Sequence, residues 1–206
     1  MELKLSRKGK AGIAAGVAAV VIIGCIAGWN ATRPVPEKYL KACQKGDFGT
    51  AEELSEKDMP DALGYTRNIA TQYETLKKNY PETHDELNGF MKRYAGAFGM
   101  TYSKKGKTTK KGTDYYEYSI SMKEDYGMES AMSDAAGKIQ KRIKKEGIKT
   151  TDKDYNKKAM TIFYEMMGDA VEKGMSERKP RKATYVISVR DGKVTSVSEK
   201  AGMEIA

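Results

Sequence analysis

Hydrophobic positions along this chain follow three rhythms in turn. Residues 11–29 read AGIAAGVAAVVIIGCIAGW, an apolar run of nineteen positions with no charge. As a helix rising 1.5 Å per residue it would span roughly 28 Å, close to the ~30 Å hydrocarbon core of a bilayer. After the proline-containing connector 30–36, apolar residues recur at helical spacing. A short helix from Pro36 carries Tyr39, Leu40 and Cys43, with Gly46 as its stop and Asp47 as cap of a second helix bearing Phe48, Ala51 and Leu54. A third helical pattern covers 60–80 through Leu63, Ile69, Tyr73 and Leu76. A fourth opens at Pro81 and runs to Gly99 through Leu87, Met91, Tyr94 and Phe98.

The period then drops to two. Met100 and Tyr102 alternate with polar neighbours, as do Tyr116, Tyr118, Ile120 and Met122, which reads as two half-buried antiparallel strands joined by a polar loop at 104–112. Helical spacing returns at 128–145 and more strongly at 152–173, where Tyr155, Ile162, Met166, Met167 and Val171 share a face. The chain closes with Tyr185, Ile187 and Val189, then Asp191-Gly192, then Val194 and Val197. Asp-Gly between alternating strands is a strong hairpin signal. The expectation is an α+β chain: an N-terminal transmembrane helix, then one domain over 37–200 with helices packed on an antiparallel sheet of at least four strands.

Charge adds a direction to the apolar run. Lys4, Arg7, Lys8 and Lys10 precede it within the tail 1–10, and only Arg33 follows closely. The positive-inside rule places the N-terminus in the cytoplasm and the domain outside, as a single-pass protein of the cell membrane. Three readings of the run remain open: a retained signal-anchor, a lipoprotein signal in which Ile22-Ile23-Gly24 precedes a lipidated Cys25, and a signal cleaved near Ala27. All three give the same compartment.

Of the formal +9, the tail supplies +3, and the other +6 reads as a lysine-rich surface suited to anionic lipid or cell-wall polymers. Two cysteines, one inside the apolar run, make no disulfide framework, and a single histidine leaves little room for metal or triad chemistry. No cofactor is implied.

The stretch Pro36-Glu37-Lys38-Tyr39-Leu40-Lys41-Ala42-Cys43-Gln44-Lys45-Gly46-Asp47-Phe48-Gly49-Thr50-Ala51 resembles the opening of envelope-exposed, often lipoprotein, domains of Firmicutes with a cystatin-like, or nuclear-transport-factor-2-like, fold. The closing hairpin is similar too. The resemblance implies a cone-like α+β fold and a Gram-positive envelope, and it carries over no catalytic residue. The two long helices between the two hairpins depart from that family's run of consecutive strands.

Candidate working residues are few. Lys104, Lys105, Lys107, Lys110 and Lys111 crowd the loop at 104–112 and suit contact with a polyanion. Tyr102, Tyr116 and Tyr118 suit an aromatic pocket or, equally, a half-buried strand. His84 beside Asp85 reads as a solvated helix start, and no carboxylate stands alone in an apolar setting. Nucleic acid is disfavoured because aromatics are not interleaved with the lysines. The expected function is a non-enzymatic ligand-binding or protein-interaction module of the envelope. A scaffold subunit of a conjugation or secretion machine, which would self-associate, is the alternative, and a small enzyme the third.

Overall fold

The computed structural model describes residues 33–63, 66–124 and 128–200, and the folded unit begins at Val35. The apolar run 11–29 and Cys25 lie outside the described residues. Among those residues, no helix is long and apolar enough to cross a membrane.

Helix α1, Val35–Lys45, buries Tyr39, Leu40 and Cys43 as its spacing predicts. It ends because Gly46 takes a left-handed φ of 72°. The Gly46 amide then donates to Cys43 O at 3.1 Å and the Asp47 amide to Ala42 O at 2.9 Å, the paired bonds of a Schellman stop. Asp47 caps α2, Phe48–Glu53, by accepting the Thr50 amide at 3.2 Å.

The helix expected over 60–80 is shorter in the structure: α3 spans Thr66–Asn79. Residues 54–63 form instead a strap along the last strand. Val194 N donates to Leu54 O and Val197 N to Pro60 O, while Glu56 N and Ala62 N donate back to Val194 O and Val197 O, at 2.8–2.9 Å. Leu63 is buried as its spacing suggested, but the backbone around Pro60 satisfies a sheet edge rather than a helix. A 3-10 turn, Pro81–Thr83, then leads into α4, His84–Phe98, which stops at left-handed Gly99.

The first hairpin also differs from its sequence reading. No loop spans 104–112. Strand β1 covers Thr101–Lys110, β2 covers Thr113–Lys123, and only Lys111 (φ 49°) and Gly112 (φ 77°) turn between them. Two positive φ values make this a two-residue turn of the twist-matching kind, as at Asp191 (φ 51°) and Gly192 (φ 74°) between β3, Pro180–Arg190, and β4, Lys193–Glu199. Lysine-rich sequence forms strand here because β2 supplies partners for it, described below.

The sheet is four-stranded and antiparallel in the order β1-β2-β3-β4. Its inner face carries Tyr118, Ile120, Ile187, Val194 and Val197, all at most 1% exposed, against Leu40, Phe48, Leu87 and Phe98 of the helices. Its other face pairs Ser103 with Ser119, Ser119 with Thr184 and Glu117 with Val186, a hydroxyl-rich face on which Ser119 and Ser188 are themselves buried. Between β2 and β3 the chain leaves the sheet as a helical hairpin: α5, Met128–Lys145, and α6, Tyr155–Ser176. The apolar face of α6 buries Ile162, Met167, Val171 and Met175, and Tyr164 stacks on Phe90 of α4 with ring centroids 5.9 Å apart. Arg93 ties α4 to α6 through Glu172 (2.8 and 2.7 Å) and Asp169 (2.6 Å). Helix α5 packs chiefly on α6.

Candidate functional site

The lysine cluster of the first hairpin is divided by a bulge. Lys104 pairs with Tyr118 and Gly106 with Glu117, so Lys105 is an extra residue in β1. The insertion turns Lys107, opposite Tyr116, onto the same face as Lys104. Both ammonium groups then lie 5.2 Å from the centroid of the Tyr116 ring. Their stems cover that ring, which is only 8% exposed. Lys107 also meets Asp114 at 2.7 Å, and Thr109 donates to the same carboxylate at 2.6 Å. The hydrogen bond to Asp114 raises the Lys107 pKa, and the bond from Lys107, then that from Thr109, lowers that of Asp114. Lys107 is therefore committed to an internal pair. Lys105, Lys110 and Lys111 stand exposed, away from the ring.

Of the tyrosines expected to line a pocket, Tyr116 lies under the lysines and Tyr102 and Tyr118 pack on each other. Tyr102 meets Tyr118 edge-on at 6.1 Å and donates to Glu37 O of α1 at 3.5 Å. Tyr118 is fully buried, and its hydroxyl has no hydrogen-bond partner among the described residues. Burial raises its pKa, with Glu37 adding to the effect. These residues build core where an open aromatic slot was one of two expectations.

One titratable group went unrecognised in the sequence. Asp61, in the strap, accepts the Leu63 amide at 3.0 Å and the Tyr39 hydroxyl at 3.4 Å. Burial nonetheless pushes its pKa up to about 6, the two hydrogen bonds opposing. Cys43, fully buried nearby, has its thiol pKa pushed far up by burial and then by the Asp61 charge. A thiol so held is not a nucleophile. The expectation that no carboxylate sits in an apolar setting is corrected at Asp61. Met59-Pro60-Asp61 reads as a helix start, and nothing local announces the β4 edge that buries it.

His84 opens α4 half-buried, its Nε2 3.5 Å from the Tyr73 hydroxyl, which donates to Asn88 at 3.0 Å. Among the described residues no three His, Cys, Asp or Glu side chains converge as a metal site.

The exposed charge is more localised than the sequence reading had it. Residues 138–158, the free end of the helical hairpin, contain nine basic and three acidic residues. The rest of 34–206 contains 23 basic and 24 acidic. The whole positive excess of that part of the chain therefore sits at one end of one hairpin. A window count along the sequence would have found it. Beside this end lies an open polar groove of about 590 Å³ between α5 and α6, lined by Arg142, Glu146, Lys157, Lys158, Thr161 and Glu165 among others.

Compared with protein-family models, with curated proteins and with solved structures, the chain matches none.

Proposed function

We propose that this protein is a membrane-held, extracytoplasmic interaction module of a bacterial cell envelope, working by binding rather than catalysis. The observation that carries the reading is the charge asymmetry around residues 11–29: four basic residues before nineteen uncharged ones, and a folded unit after them. Two features support binding over catalysis. Cys43 and Tyr118 are sealed in packing, and Asp61 is spent on the strap's own backbone and on Tyr39. The charge concentrated on the surface is basic, at the free end of the second hairpin, residues 138–158.

A reporter fused after Ala206 tests the compartment. An enzyme that folds only when exported is expected to be active, and one that works only in the cytoplasm inactive. The opposite pattern overturns the reading. Cys25→Ala then separates the means of attachment. Unchanged membrane fractionation means the apolar run itself is the anchor. Release, or an unprocessed precursor, means a lipid on Cys25.

A further inference from the structure

We infer that the free end of the helical hairpin, residues 138–158, is a docking surface for a flexible phosphodiester polymer, an envelope polymer of the poly(glycerol phosphate) kind. Its choice among polyanions rests on the extracytoplasmic reading above. The surface itself rests on geometry and charge.

Lys138, Lys141, Arg142 and Lys145 fall within about 100° of arc on α5, at steps of three and four residues. Lys138 and Lys145 are about 10 Å apart along the axis at 1.5 Å per residue. Lys149 and Lys153 lie in the connection between the helices and Lys157 in the first turn of α6. All nine basic residues are exposed.

The three carboxylates do not neutralise the row. Glu146 pairs with Arg142, Asp154 with Lys158 at 3.0 Å, and Asp152 accepts the Lys149 amide at 3.0 Å. Among the described residues, no salt bridge reaches the seven remaining lysines. An ammonium binds phosphate as a point charge, without a fixed fork geometry. A row of them suits a chain that brings one charge per repeat and bends to follow two helices.

A bilayer is the poorer fit. Ile143 is buried, and Ile139 and Ile148 are half-buried. The end therefore offers no exposed large apolar side chain to enter the acyl region, as interfacial helices do. The adjoining groove, with the Thr161 hydroxyl and charged groups of both signs on its wall, suits the polymer's own hydroxyls.

The test uses the full chain in neutral detergent, with poly(glycerol phosphate), inorganic phosphate, and phosphatidylcholine vesicles with and without phosphatidylglycerol as probes. Binding to the polymer, with inorganic phosphate far weaker, is expected to weaken linearly in log salt. The variant K141Q/K145Q/K149Q/K153Q is expected to lose at least tenfold in polymer affinity. Its salt slope should become shallower by about 3, near 0.7 for each lysine removed. Glutamine matches lysine in helix propensity, so the fold is kept, as circular dichroism checks. The comparison variant K104Q/K105Q/K110Q/K111Q is expected to stay within about threefold of the parent. Equal loss in both variants means diffuse charge and overturns the proposal, as does polymer binding without salt dependence. Tight binding only to phosphatidylglycerol vesicles overturns it in favour of a membrane contact. A cytoplasmic reporter would sink the envelope reading while leaving these affinities untouched, so the two failures are distinguishable.

Discussion

Gly46 and Gly99 both end helices in the left-handed region, at φ 72° and 59°, yet alanine should cost very different amounts at the two. At Gly99 a Cβ would meet nothing within 4 Å among the described residues, so Gly99→Ala costs only the backbone conformation, about 1 kcal/mol. At Gly46 the Cβ would lie 2.3 Å from Met91 O, 2.6 Å from Met91 C and 2.9 Å from Lys92 N, all backbone atoms in the middle of α4. No rotamer relieves such a contact. The turn between α1 and α2 must back away from α4 by about 1 Å to reach ordinary van der Waals separation. That movement loosens the packing of Cys43 and Phe48, which are 0% and 1% exposed. Overpacking of about 1–3 kcal/mol adds to the conformational cost, giving about 2–4 kcal/mol for Gly46→Ala. Against a whole-domain stability of about 5–15 kcal/mol, that is a large fraction. Urea unfolding of the full chain in mild detergent, followed by circular dichroism, measures both variants at constant m-value. Asparagine separates the causes, because it tolerates left-handed φ but still carries a Cβ. Gly46→Asn should remain about as costly as alanine, whereas Gly99→Asn should be milder than Gly99→Ala. Equal losses for the two alanine variants would refute the close-approach reasoning.

Three further outcomes follow from polar groups. Asp61 has a folded pKa of about 6 against an ordinary 3.8, so the folded state holds its proton more tightly. The resulting stability is fully present below pH ~3.8 and is lost as pH rises through about 6, by at most about 3 kcal/mol. Asp61→Asn should remove that component, so the parent should lose ground to the variant in urea titrations between pH 4 and pH 7.5; parallel pH profiles would refute this. Tyr118→Phe deletes a buried hydroxyl that has no partner among the described residues and should leave stability unchanged or raise it by about 1 kcal/mol, whereas a loss above 1 kcal/mol would mean that the hydroxyl is hydrogen-bonded. Arg93→Met breaks the tie from α4 to Glu172 and Asp169, and because those carboxylates are half-exposed or more the cost should be about 1 kcal/mol and should shrink in 1 M salt.

Features written in local residue chemistry were legible from the sequence. Asp191-Gly192 fixed its turn, Gly46 and Gly99 ended their helices, and the apolar stripe through Ile162, Met167 and Val171 buried itself. Features created by a distant partner were not. Lysines 104–110 carry no strand pattern, and they join a sheet because Tyr116 and Asp114 across the hairpin accept their stems and charges. Pro60 and Asp61 look like a helix start, and the edge of β4, more than 130 residues on, makes them a strap. The same dependence hides Asp61 as a titrating group, since its burial is supplied by residues far along the chain. The basic end at 138–158 is the opposite case: visible in composition alone, it gained meaning once the hairpin showed it to be an exposed end rather than part of a spread surface.

Lysines on β1 and lysines on α5 have different structural returns. Those on β1 line an outer strand of the sheet, where charge and a bulge oppose pairing with another chain, and Lys107 gains an ion pair. On α5 no such return exists. Lys141 faces Lys138 and Lys144 at three residues and Lys145 at four, and each like-charge contact destabilises a helix by about 0.2–0.5 kcal/mol. A sequence selected only for solubility would place glutamate at 141, in the favoured order four residues before Lys145. Lys141→Glu should therefore stabilise the protein, turning three repulsions into attractions for a gain of about 1–3 kcal/mol at low salt that fades at 1 M. The same change should weaken poly(glycerol phosphate) binding by more than Lys141→Gln does. Gain in one measurement with loss in the other is the mark of a surface held against its own stability for a partner. A Lys141→Glu variant that is less stable than its parent, or equally stable at every salt concentration, would refute the repulsion on which this reasoning stands.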